Sequence, residues 1–157
     1  MMQNLPPCIK EITCIDFEFQ PSNNGIKEVI CMVAKQLISG RIINLTAKEL
    51  LELKHPPFSI DEDNVIVAYF LSAEMDCFLA LGWPLPYHVV DLYVEFRNHT
   101  NGKLNCEGRG LIAALRYFKL DAIDYSLKES MRDLVYSDNY NYRKTTTIIT
   151  SFLAKKY

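Results

Sequence analysis

Several common functional signatures are missing from these 157 residues. The five cysteines (Cys8, Cys14, Cys31, Cys77 and Cys106) are scattered and form no C-x-x-C pair. That removes the usual spacings of structural zinc and of dithiol redox motifs. Cys14, Cys31 and Cys77 lie in apolar runs and read as small core residues, kept reduced in a cytoplasm. His55, His88 and His99 are too far apart in sequence to suggest a shared ligand motif. Neither sign of charge dominates: 17 Lys and Arg against 19 Asp and Glu leave a formal net charge of -2. A surface coated with positive charge to grip nucleic acid therefore finds no support. An enzyme with a small basic margin around a metal site is not excluded, because the metal supplies positive charge itself. No apolar run approaches the roughly 20 residues of a membrane span. The first ten residues lack the charged start and apolar core of a signal peptide. No repeat, low-complexity segment or linker divides the chain, so a single domain over 1–157 in the cytoplasm is expected.

What is present is enough for a core: 49% of residues are hydrophobic and 23% charged, in a chain of one-domain length. Residues 1–10, with Pro6-Pro7, read as an extended lead-in, and 11–19 (EITCIDFEF) as a strand rich in Ile, Thr and Phe. Turn formers at 20–25 (QPSNNG) and at Ser39-Gly40 separate it from strands at 27–37 and 41–45, giving an antiparallel meander. Thr46 offers an N-cap and Glu49 its capping-box partner for a helix over 47–53, stopped by Pro56-Pro57. The run 64–70 (NVIVAYF) is apolar throughout, as a buried central strand is. Ser72 is the expected N-cap of a helix over 73–81 ending at Gly82. After the rigid Trp83-Pro84-Leu85-Pro86, the pattern predicts a strand over 88–94, a loop over 98–110 and a helix over 111–118 that packs Leu111, Leu115 and Phe118 inward. Helices over 126–135 and from 143 to the end come next, with a loop at 137–142. A meander followed by alternating strands and helices predicts an α/β fold on a mixed sheet flanked by helices.

Chemistry concentrates in the first strand. Alternate side chains go to opposite faces. Ile12, Cys14, Asp16 and Glu18 thus share one face, and Thr13, Ile15, Phe17 and Phe19 the other, which is apolar enough for core. Neighbouring carboxylates repel, and burying them unpaired is costly. A hard divalent cation such as Mg²⁺ or Mn²⁺ removes both problems and can bridge phosphate oxygens and activate water. A bare D-x-E is common, however, and taken alone it fits better an edge strand whose two acids face water.

The remaining stretches add a resemblance. Ile15-Asp16-Phe17-Glu18, Val67-Ala68-Tyr69-Phe70-Leu71-Ser72-Ala73-Glu74, Leu79-Ala80-Leu81-Gly82-Trp83-Pro84, Asp91-Leu92-Tyr93-Val94-Glu95-Phe96-Arg97-Asn98, Asn101-Gly102 and Met131-Arg132-Asp133-Leu134 occur in that order. Together they resemble the DnaQ-type, ribonuclease-H-like 3′–5′ exonucleases, in particular the N-terminal proofreading domain of bacterial and phage-derived family A DNA polymerases. The similarity spans roughly residues 12–135. It implies a ribonuclease-H-like mixed sheet and hydrolysis at a single-stranded DNA 3′ end with Mg²⁺ or Mn²⁺. It also implies a polymerase domain or subunit as partner, and no membrane.

By that resemblance Asp16 and Glu18 are the first exonuclease motif and hold metal. Glu74 takes the place of the acid that closes the second motif, with Asp76 as a nearby alternative roughly 200° round the helix. Phe17, Tyr69, Ser72 and Asp91 are the expected substrate contacts. Asp91 reads equally well as a cap for the segment after it. Core packing is the better reading for Phe70 and Trp83, while Tyr69, beside the site, is a candidate to stack on an unpaired base. The family's third motif, a Tyr or His followed by an Asp on the final helix, is not found, because 145–157 contains no Asp, Glu or His. Either the chain stops short of that motif or the segment has diverged. Tyr140, Tyr142 or Tyr157 could stand in for the residue that orients water. Weak or absent hydrolysis is the expectation. It brings in an alternative of another class, a non-catalytic nucleic-acid-binding or polymerase-interaction module of the same fold. An RNA-directed nuclease is a third option.

Overall fold

The strand that carries Asp16 and Glu18 lies in the middle of the sheet order, but at the two acids, past Cys14, it pairs among the described residues with the strand Lys27–Gln36 alone. The structure is a computed structural model that describes residues 6–21, 25–103 and 108–120. The helices expected at 126–135 and from 143 onward, and the region searched for a third motif, lie outside those residues. Five strands pair in the order β3-β2-β1-β4-β5. They are β1 (Glu11–Pro21), β2 (Lys27–Gln36), β3 (Ile42–Thr46), β4 (Asn64–Ala68) and β5 (His88–Asp91). The meander is as expected, with β1 antiparallel to β2 and β2 to β3. β4 and β5 join on the other side of β1, both in parallel pairings.

The predicted faces of β1 hold. Thr13, Ile15 and Phe17 are buried, while Ile12, Cys14, Asp16 and Glu18 are half-buried. Ile15 and Phe17 pack with Met32 and Ala34 of β2, Ile66 of β4, and Phe78 and Trp83. Phe17, Phe78 and Trp83 meet ring to ring, with centroids 5.3–6.2 Å apart. Burying rings of this size is worth about 1.5–3 kcal/mol each. The Trp83 indole N–H donates to the Leu53 carbonyl, so its one polar atom is satisfied. Cys31 and Cys77 are fully buried, and burial pushes both thiols up to about 12, as expected of packing residues rather than reactive ones.

Helix α1 (Ala47–Glu52) starts at the predicted capping box of Thr46 and Glu49. Helix α2 (Leu71–Ala80) begins two residues earlier than expected, and β4 ends at Ala68, so Tyr69 and Phe70 leave the strand. Ser72 is exposed inside the helix and is not its cap. β5 stops at Asp91, where helix α3 (Leu92–Thr100) replaces the predicted continuation of the strand and the start of the predicted loop. Helix α4 (Leu111–Tyr117) forms where expected, but it buries Ala114. Leu111 and Leu115 are only half-buried and Phe118 is 50% exposed.

Candidate active site

β1 outruns its parallel neighbour. The β1–β4 ladder ends at Cys14 opposite Val67, while β1 continues to Pro21. Past that point the Phe17 N–H finds its acceptor in Glu74 Oε2, at 2.8 Å. Glu74 sits on the first turns of α2, the helix that follows β4, so the strand's early end is what lets the carboxylate reach in. Phe17 lies between Asp16 and Glu18 in sequence, so this one bond brings Glu74 to that pair of acids. On the other side of β1 the register with β2 shifts between Glu18 and Phe19. Such an irregularity re-aims side chains and is frequent beside functional sites.

Glu74 is only 4% exposed. Burial raises its proton affinity well above the usual carboxylate range, and the charge of Asp16 adds to this. The Phe17 N–H opposes the rise, Glu18 reinforces it, and Lys27 opposes it. The three acids therefore lie within one another's field. Asp76, the alternative acid, faces elsewhere and pairs with Lys27 at 3.2 Å. Lys27 also donates to the Ala73 carbonyl at 3.2 Å and lies 3.7 Å from the centroid of the Phe19 ring. It thus ties the start of β2 to the turn of α2 that carries Glu74. Sequence reasoning gave Lys27 no role, because nothing local marks a lysine whose partners lie some 50 residues away.

Of the expected substrate contacts, Phe17 does not present its ring, which is 4% exposed and in the core. Only its backbone belongs to the site. Ser72 is exposed without the capping role given to it. Asp91 is a cap twice over. Its carboxylate accepts from Tyr93 N–H at 2.9 Å at the start of α3, and from Phe70 and Leu71 N–H at 3.2 and 3.1 Å at the start of α2. Tyr69 is half-buried, donates its hydroxyl to the Arg109 carbonyl and packs edge-on against Tyr93. Phe70, expected in the core, is 50% exposed. Trp83 is core, as expected.

The donor set at Asp16, Glu18 and Glu74 is all oxygen and mutually repulsive, which suits a hard divalent cation. The geometry is looser than a formed chelate: among the described residues no group of three or more His, Cys, Asp and Glu is placed to hold a metal ion. Nor is any helix among the described residues long and apolar enough to cross a membrane.

No known family model matches the chain. No curated protein matches it either. Among solved structures, the EXO domain of Nibbler from Aedes aegypti is similar, with a TM-score of 0.54 and 12% sequence identity over 94% of this chain and 76% of that one. At that identity the likeness is one of fold. It agrees with the sheet order and the flanking helices: this is an α/β chain of the ribonuclease-H-like kind, with an exonuclease domain as structural neighbour.

Proposed function

We propose that the chain is a single domain, a 3′–5′ exonuclease of the proofreading type that uses Mg²⁺ or Mn²⁺ to hydrolyse the 3′ end of single-stranded DNA beside a polymerase domain or subunit. The observation that carries this reading is the Glu74 carboxylate on the Phe17 N–H, between Asp16 and Glu18, in a fold shared with an exonuclease domain. Asp16 and Glu18 would hold one cation and Glu74 would help hold the second. Metal bound there supplies charge for the phosphoryl oxygens and a more acidic water. The chain's own part is to fix the acids: β1 by its pairing with β2, α2 by the bond from Glu74 to β1. The polymerase context rests on the sequence resemblance.

The test is digestion of 5′-labelled single-stranded DNA with Mn²⁺ by wild type and Asp16→Ala. A ladder shortening from the 3′ end with the wild type, and none with the variant, is expected. Equal ladders from both proteins would show a contaminating nuclease and remove the support for catalysis. A second reading also has an observation in its favour. Glu74 is held by a backbone N–H, as a structural clamp is, which suits a non-catalytic nucleic-acid-binding or polymerase-interaction module. Binding of the same DNA without cleavage by either protein would select it.

A further inference from the structure

We propose that Phe70, seated on the Tyr93 ring that Arg97 also flanks, is a stacking platform for a base upstream of the 3′ terminus of a single strand. The inference rests on the exonuclease reading only for where that strand ends. Phe70 has φ 72°, in the left-handed region, which a bulky side chain rarely adopts. Among the described residues most positive-φ positions are glycine, at Gly25, Gly40, Gly82, Gly102 and Gly108, and Lys119 (φ 55°), just past α4, is the other exception. At position 70 the chain places a phenylalanine and gets little core packing in return, since the residue is 50% exposed. Strain of this sort persists where the surroundings enforce it, and it gathers at functional sites. Here Asp91 enforces it by accepting the Phe70 and Leu71 N–H groups.

The ring's surroundings fit an unpaired base. Phe70 meets Tyr93 edge-on at 5.3 Å, Tyr93 meets Tyr69 at 5.9 Å, and the Arg97 guanidinium lies 5.6 Å from the Tyr93 ring centroid. Aromatic faces with a nearby arginine bind single strands without regard to sequence, each base contributing by its π-face. Beyond the rings lies a polar hollow of about 280 Å³ lined by Val94, Arg97, Asn98, Asn101 and Arg109, with two cations suited to a sugar–phosphate backbone. Phe70 precedes Glu74 by four residues at the start of α2, which is about 6 Å along a helix axis. That offset is of the size of one nucleotide step, so a strand whose last phosphate lies at the acids can lay a preceding base on the ring.

The experiment uses oligothymidylate carrying 2-aminopurine near its 3′ end, with Ca²⁺ in place of Mg²⁺ or Mn²⁺, for wild type, Phe70→Ala, Phe70→Gly and Phe70→Trp. In parallel, Mn²⁺-dependent hydrolysis is followed on the p-nitrophenyl ester of thymidine 5′-monophosphate, which has a scissile phosphodiester and no upstream nucleotide. Loss of the ring should weaken strand binding about tenfold and abolish the quenching of 2-aminopurine. Trp should retain both, and ester hydrolysis should not change. The Gly variant should melt at or above the wild-type temperature, because it accepts the left-handed backbone. The platform is overturned if Phe70→Gly binds like wild type, if it loses several degrees of melting temperature, or if ester hydrolysis falls along with binding. If the wild type hydrolyses nothing but quenches the probe through Phe70, the exonuclease reading fails while the platform stands. A wild type that does not bind the strand removes both.

Discussion

Glu11 and Glu74 are both buried, at 8% and 4% exposure, and both accept backbone N–H groups, yet their proton affinities move in opposite directions. Burial would raise Glu11, but the N–H of Ile38, the side chain and N–H of Ser39, and the N–H of Ile12 hold it below the usual carboxylate range. Its ionised form thereby pins the turn after β2. At Glu74, burial and the charges of Asp16 and Glu18 outweigh the single Phe17 N–H and Lys27. By linkage, Glu11 contributes stability above its unfolded pKa that is lost as pH falls through its lowered folded one. Glu74 contributes stability that is complete below its unfolded pKa, about 4.3, and lost as pH rises through its raised folded one. Glu74→Gln keeps an oxygen for the Phe17 N–H and cannot ionise. In EDTA the variant should therefore melt above wild type at pH 8, and the gap should close toward about pH 4.5. Its Mn²⁺-dependent hydrolysis should be at background. Melting curves at several pH values check this, and a variant that is equally destabilised at both ends would refute the repulsion at Glu74.

Between elements, Asp91 does what Ser72 was expected to do. A serine just ahead of an apolar helical run is a good local signal for a cap, and the signal misled because the acceptor came from a residue about twenty positions later. With three N–H partners across α2 and α3, Asp91 also explains why β5 ends where it does. Residues 92–94 (LYV) read as the end of the strand by their β-branched and aromatic content until an N-cap and an acid in the first turn, Glu95, are weighed with them. Asp91→Ala should cost about 1 kcal/mol for each of the two caps, and roughly 2–3 kcal/mol with the Phe70 turn released. Ser72→Ala should stay within about 0.5 kcal/mol of wild type. Urea unfolding of the two variants decides between the caps, and a larger loss at Ser72 would reverse the assignment. All five strands, α1, α2 and α4 were legible, because their signals are local: alternation, apolar runs, turn residues, a capping box. What was missed, helix α3, the ends of β4 and β5 and the start of α2, depends on the bonds of Asp91 between elements. The same division runs through the site, where Asp16 and Glu18 could be read from spacing. The backbone role of Phe17, the placement of Lys27 and the exposure of Phe70 could not.

For the molecule as a whole, the sheet and α2 bring like charges together, and a bound cation would turn that repulsion into a gain. Pairing with β2 fixes the backbone of Asp16 and Glu18, and the bond from Glu74 to Phe17 draws a third negative charge toward them. A cation that binds the folded chain at these acids and not the unfolded one should stabilise the whole fold by mass action. At a free concentration about 100 times its Kd the gain is about 2.7 kcal/mol. For a chain of this length that raises the melting temperature by about 5–10 °C. Mn²⁺ titrated into metal-free wild type at pH 7.5 should give such a rise, and Mg²⁺ a smaller one at equal concentration. Asp16→Ala and Glu18→Ala should each lose most of the rise. A metal-dependent rise of equal size in both variants would mean that the cation binds elsewhere, and the assignment of these acids as its ligands would fall.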